Sequence, residues 1–174
     1  MTASLAQAWA VLNQVPDPEV PVISVCELGI VRDLFFNQHQ ELEVVLTPTY
    51  SGCPATEQIE QDIRVALNQA GFNLVHIRLQ RAPAWTTDWM SAEGKRKLQD
   101  YGIAPPGNVA VQPLHFFSKQ KLGSINNMSK AISITCPHCA SNKTERLTEF
   151  GSTACKALYR CLSCREPFEY FKPI

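Results

Sequence analysis

The chain has 174 residues, 45% of them hydrophobic and 18% charged, and its 16 basic and 16 acidic side chains cancel. That length suits one large domain or two small ones, and the composition is that of an ordinary globular protein. The balanced charge argues against a nucleic-acid or anionic-membrane surface, and no apolar run approaches the ~18 residues of a membrane span.

The opening Met1-Thr2-Ala3-Ser4-Leu5 lacks a basic stretch followed by an apolar one, so no secretory signal is expected. Seven cysteines in a cytoplasmic protein read as thiols and metal ligands rather than disulfides. Leu5, Ala8, Trp9 and Leu12 recur at helical spacing, and Pro16-Asp17-Pro18 ends that helix. The three prolines of 16–21 predict an extended loop around Asp17 and Glu19. Two strands follow over 30–36 and 41–46, turning at Asn37-Gln38-His39-Gln40, with Leu42, Val44 and Leu46 alternating against Glu41, Glu43 and Val45. A helix over 54–70 places Ile59, Ile63, Ala66, Leu67 and Ala70 on one face and stops at Gly71. A strand over 74–80 then returns parallel to one of its predecessors, with His76 facing solvent.

Beyond this unit, Trp85 and Trp89 flank Thr86-Thr87-Asp88, and a short helix over 91–101 ends at Gly102. Lys95-Arg96-Lys97 on that helix reads as a solvated face without a partner. A strand is expected over 109–117, followed by a polar stretch over 119–130. The fold class is therefore α+β: a helix–strand–strand–helix–strand domain over 1–82, a connector with a short helix over 83–131, and a four-cysteine ribbon over 132–174.

The ribbon carries the strongest chemical signal. Cys136-Pro137-His138-Cys139 and Cys161-Leu162-Ser163-Cys164 are two Cys-x-x-Cys knuckles separated by 21 residues, just outside the ~15–20 usual for such pairs. Four thiolates can close a tetrahedral site, which leaves a structural ion no open position for substrate. Zinc is the expected occupant, one per chain, with iron the rival. Zinc binding supplies ~10–16 kcal/mol in comparable peptides, which a segment too short to bury a core of its own needs. His138 inside the first knuckle reads as exposed rather than as a ligand. Cys155 is a fifth cysteine that could be a buried small residue, an alternative ligand or a free thiol near the metal.

Outside the ribbon, Gly52-Cys53-Pro54 puts proline at the first helical position and Cys53 at the N-cap, where the helix dipole favours a thiolate able to attack or to bind soft metal. Thr49 and Tyr50 offer hydroxyls nearby, and the Asp17 and Glu19 loop offers carboxylates if the fold brings it alongside. Cys26 reads as core. No Gly-x-Ser-x-Gly, Walker loop, dinucleotide fingerprint or His-Glu-x-x-His occurs, so no catalysis of its own is expected.

Asp17-Pro18-Glu19-Val20-Pro21, Glu27-Leu28-Gly29-Ile30-Val31 and Thr47-x-Thr49-x-x-Gly52-Cys53-Pro54 resemble the domain family associated with iron–sulfur cluster assembly. Together with Trp85-Thr86-Thr87-Asp88-Trp89-Met90, Tyr101-Gly102-Ile103-Ala104-Pro105-Pro106, Phe150-Gly151-Ser152-Thr153-Ala154-Cys155-Lys156 and Cys161-x-x-Cys164-x-Glu166-Pro167-Phe168, nearly the whole chain resembles the D-subunit family of bacterial phenylacetyl-CoA epoxidase (PaaD, also written PaaJ). The resemblance implies an accessory role in a multicomponent ring-epoxidising monooxygenase of phenylacetate catabolism. It implies a functional cleft of Cys53, Thr49, Asp17 and Glu19, transient iron or iron–sulfur cargo, and as partners the di-iron oxygenase or the iron–sulfur flavin reductase. Relatives often carry a second threonine directly after the position of Thr49, where this chain has Tyr50. Two readings follow: a maturation factor for the epoxidase's metal centres, or a docking subunit that organises its components without handling metal. A thiol enzyme acting on a CoA thioester has only Cys53 in its favour.

Overall fold

The computed structural model describes residues 4–50, 52–107 and 134–173. The strand expected over 109–117 and the polar stretch over 119–130 lie outside the described residues.

Helix α1 spans Leu5–Leu12; the Ser4 hydroxyl caps it by accepting from the Gln7 amide, and Ala8 and Leu12 are buried. Strands β1 (Val31–Phe36) and β2 (Leu42–Leu46) pair antiparallel, helix α2 (Thr56–Gln69) crosses over, and β3 (Val75–Leu79) pairs parallel with β2. The sheet order is β1-β2-β3. The two helices touch each other, α1 against β1 and α2 against β3, and α2 sinks Ile59, Ile63 and Leu67. That face follows from apolar residues four apart on a 3.6-residue turn. Gly71 adopts a φ of +94° just past the end of α2, where the left-handed conformation stops the helix and only glycine is unstrained.

The loop around Asp17 is folded back rather than extended. An antiparallel bridge between Pro16 and Ser24 closes it, and one Asp17 carboxylate oxygen accepts from the Glu19 and Val20 amides at 2.9 and 2.8 Å. The prolines restrict each backbone step, but the aspartate's local turn and the burial of Val20 and Ile23 choose the direction.

Residues 83–107, expected as a connector, supply part of the main core. Trp85 is only 2% exposed and donates its indole N–H to the Leu28 carbonyl at 3.1 Å. A 3₁₀ turn at Thr87–Trp89 leads to helix α3 (Ala92–Asp100), capped by the Ser91 hydroxyl, and Met90 and Leu98 join the same core. On the basic run, Arg96 pairs with Glu93 and Asp100, while Lys97 reaches Glu27 at 2.7 Å. Strand β4 (Ile103–Ala104) then pairs parallel with β7 (Pro167–Phe171), which pairs antiparallel with β6 (Lys156–Cys161), itself paired with β5 (Thr144–Thr148). The second sheet runs β4-β7-β6-β5.

Ribbon and N-terminal unit share one core. Cys155, Phe171 and Ile103 belong to the same buried cluster as Leu12, Leu28 and Ile63, and Trp85 meets Phe171 at 6.0 Å between ring centroids. A smaller cluster of Ala104, Ile134, Phe168 and Tyr170 surrounds Cys136 and Cys161. No helix among the described residues is long and apolar enough to cross a membrane.

Gly29 shows how closely the main core is fitted. Its φ is +79°, and a Cβ there would lie 2.6 Å from the Trp89 carbonyl oxygen. Gly71 also has positive φ but has nothing within 4 Å of that position. Gly71→Ala is therefore expected to cost only the backbone strain of ~1–2 kcal/mol. Gly29→Ala adds the ~1–3 kcal/mol of overpacking and should be clearly the more destabilised of the two. Urea midpoints of both variants decide it; equal losses would mean the Trp89 backbone gives way freely.

Candidate metal centre and thiol cleft

The two knuckles are built alike. The Cys136 amide donates to the Ser141 carbonyl at 2.9 Å and the Cys161 amide to the Glu166 carbonyl at 3.0 Å, the same five-residue closure in each. Each turn ends in a left-handed non-glycine residue, Ala140 at φ 56° and Arg165 at φ 66°. Ser141 and Ser163 hydroxyls meet across the pair at 2.8 Å. All four sulfurs lie within 4.8 Å of one another, with Cys136 to Cys164 at 3.8 Å and Cys139 to Cys161 at 3.6 Å. A tetrahedron with metal–sulfur bonds of ~2.3 Å has edges of about 3.8 Å, whereas a disulfide needs ~2.05 Å. The donor set therefore fits one zinc ion with every position filled by protein. The amides of Cys164 and Ser163 donate to the Cys161 sulfur at 3.5 and 3.4 Å, and they draw its thiol down to about 6, so that it gives its proton to solvent readily and can bind a metal as thiolate. His138 is exposed, stands outside the sulfur group, and packs over Gly102.

Cys53 is not the N-cap of α2. Ala55 holds that position in αR conformation without a side-chain cap, and Pro54-Ala55 form a turn in which the Cys53 carbonyl accepts from the Thr56 amide at 3.2 Å. Two residues further out, the thiol gains little from a helix dipole that fades within a turn. What it gains is company. Cys53, Thr49, Asp17 and Glu19 line one cleft, whose apolar wall includes Leu28, Ile30, Leu46, Ile59 and Phe171.

Cys155 lines the same cleft, arriving from the ribbon immediately before β6. It stands outside the four-sulfur group, is 5% exposed, and lies 3.0 Å from the Thr153 hydroxyl. Sequence spacing carried no signal for this placement, because a lone cysteine has no pattern. Burial pushes the Cys155 thiol up, partly offset by Thr153. Burial also pushes Cys26 up to about 12, but that thiol packs against the core and is no part of the cleft.

The cleft is acidic and partly dry. Burial raises the Asp17 carboxyl even though the Val20 and Glu19 amides and the Lys156 ammonium oppose it. Burial raises Glu19 as well, reinforced by the charge of Asp17. Tyr50 beside them is pushed up to about 12, first by burial and then by the adjacent Cys53 thiol. Lys156 is itself buried and bound to Glu169 at 2.9 Å.

Over 97% of its length the chain is 47% identical to a protein of Escherichia coli (strain K12) provisionally named as the D-subunit of 1,2-phenylacetyl-CoA epoxidase, 92% of which it covers. The chain belongs to the PaaD family. Within this PaaD chain, residues 122–172 match the model described as the PaaD zinc beta ribbon domain, and residues 5–71 match that of iron-sulfur cluster assembly proteins. Across 88 residues it is 34% identical to an Fe-S protein maturation auxiliary factor of Porphyromonas gingivalis, covering 50% of this chain and 83% of that one. A solved structure of a domain of unknown function, DUF59, from Bacillus anthracis is 28% identical at a TM-score of 0.49, over 53% of this chain and 89% of that one. The PaaD cleft straddles both matched regions: Asp17, Glu19, Thr49 and Cys53 come from the assembly-type part and Cys155 from the ribbon.

Proposed function

We propose that this chain is a cytoplasmic maturation factor for phenylacetyl-CoA epoxidase. Cys53 holds iron or an iron–sulfur species transiently and passes it to the oxygenase or the reductase. The ribbon, kept folded by one zinc, docks the client. The observation that carries this reading is the meeting of Cys53 with the Asp17 and Glu19 carboxylates and the Thr49 hydroxyl in one cleft. Thiolate and carboxylate donors together suit ferrous iron, and an open cleft can release what a closed four-sulfur site cannot. Exposed Leu147, Phe150 and Leu162 give the ribbon an apolar surface for a client. Among the described residues nothing favours a thioester-cleaving role: His39, His76 and His138 are exposed, and none of the three lines the cleft to act as base.

Cys53→Ser, co-expressed with the epoxidase components, is expected to lower their iron content and activity toward the level reached without this chain. Iron bound by the chain itself should weaken by at least the ~10–100-fold that loss of a mere supporting contact costs a metal site. Full iron loading of the epoxidase by the variant would leave docking alone as the function.

A further inference from the structure

We propose that a second cavity, at the carboxyl ends of β2 and β3, is a carboxylate-binding pocket in which the Arg81 guanidinium and the Thr47 hydroxyl hold the oxygens of a small acid or of a polypeptide C-terminus. Neither Cys53 nor iron takes part, so the pocket stands or falls independently of the maturation reading.

Strands β2 and β3 run parallel with Leu46 opposite Leu79, and the Gln80 amide donates to the Leu46 carbonyl at 2.7 Å. Thr47 and Arg81 therefore leave the sheet at the same end, one opening the loop to α2 and the other just past β3. In sheets with helical crossovers, ligands sit outside the carboxyl ends of the strands. Here that end holds a cavity of about 170 Å³ lined by Thr47, Pro48, Thr49, Arg81, Ala84 and Trp85. One water needs only ~10–15 Å³, so the space takes a carboxylate and several atoms beyond it.

Two of the lining residues carry hydrogen-bonding groups without partners. Thr47 is 1% exposed, and its Oγ1 is a buried side-chain atom with no hydrogen-bond partner among the described residues. Such an atom is costly unless a ligand completes it. Arg81 has neither an ion pair nor a hydrogen bond among the described residues, whereas Arg78 on β3 is paired with Glu43. The hydroxyl alone could serve a donor or an acceptor; the guanidinium, which only donates, makes the ligand an anion. Its fork of N–H groups matches two coplanar oxygens. Asp17 and Glu19 line the neighbouring cleft across the shared Pro48 and Thr49, so one cation here suits a singly charged carboxylate better than a doubly charged phosphate. The indole N–H of Trp85 is committed to the Leu28 carbonyl, which leaves Trp85, with Pro48 and Ala84, as an apolar wall for the carbon end.

The test titrates the full ¹⁵N-labelled chain, ribbon metal retained, with sodium acetylglycinate and with neutral acetylglycinamide at constant ionic strength, read at the Trp85 indole N–H. A saturable shift is expected with the carboxylate and none with the amide. Arg81 is exposed, so Arg81→Met leaves the core untouched. It should weaken the carboxylate roughly tenfold or more, as loss of hydrogen bonds to a charged group implies. Thr47→Val should weaken binding severalfold without lowering the urea midpoint of the free chain, because it removes an unsatisfied polar atom. Acetate that binds as tightly as acetylglycinate supports the pocket with a free small acid as its ligand, and tighter acetylglycinate supports it with a polypeptide terminus. Equal shifts with acid and amide, no saturable shift with either, or unchanged affinity in Arg81→Met or in Thr47→Val overturns the pocket.

Discussion

Stripping the metal from the four-cysteine site is expected to open the thiol cleft as well as unravel the ribbon. The ribbon's own cluster is small, and two of its members, Cys136 and Cys161, are themselves ligands. Strand β5 is half-buried at its start and otherwise exposed. Folding energy of ~10–16 kcal/mol from a structural metal is comparable to the whole ~5–15 kcal/mol stability of a typical domain, so this sheet should not survive without it. Phe171 and Cys155 would then leave the cleft, and Trp85 would lose the ring that covers it at 6.0 Å. In a Trp9→Phe, Trp89→Phe background, chelation should shift the Trp85 emission to the red. Most of the far-ultraviolet signal from α1, α2 and the first sheet should persist. Emission that stays put while the metal leaves would show that the ribbon holds its place on the core by packing alone.

Much of the fold was legible in the sequence because its elements are locally determined. The period of two in Leu42, Val44 and Leu46, the helical stripe of Ile59, Ile63 and Leu67, and Gly71 as the stop each depend on residues close in the chain. The knuckles were legible for the same reason: two ligands three residues apart announce themselves. What escaped depended on distant partners. Trp85 lies in a segment without periodicity, yet it is buried by Leu28 and Phe171, far off on either side. Strand β4 has two residues, too few for any pattern, and exists because β7 offers it an edge. Cys53 missed the N-cap because Pro54 and Ala55 form a turn before the helical ladder begins. Cys155 joined the cleft rather than the ribbon metal, a choice made only when the strand that follows it folds against the N-terminal core.

Trp85→Ala should be among the most damaging single substitutions outside the metal ligands. Deleting a buried tryptophan side chain costs ~3–5 kcal/mol, and here it also strands the Leu28 carbonyl that accepts the indole N–H, adding ~1–3 kcal/mol. Trp85→Phe separates the two contributions: it keeps most of the ring packing against Phe171 and loses the donor, so it should cost little beyond the stranded carbonyl. Urea denaturation of the three proteins measures both differences, and a Trp85→Ala loss below about 1 kcal/mol would mean that the cavity collapses without consequence. The functional corollary follows from where the neighbours sit. Leu28 and Phe171 both wall the cleft, one from each module. Loss of the tryptophan between them should loosen the seam on which the cleft depends, while the four knuckle sulfurs, packed in a separate cluster, keep their metal. Trp85→Ala is therefore expected to retain the ribbon metal in full and to bind ferrous iron in the cleft more weakly than Trp85→Phe. Equal cleft affinity in the two variants would place the cleft's geometry in the N-terminal unit alone.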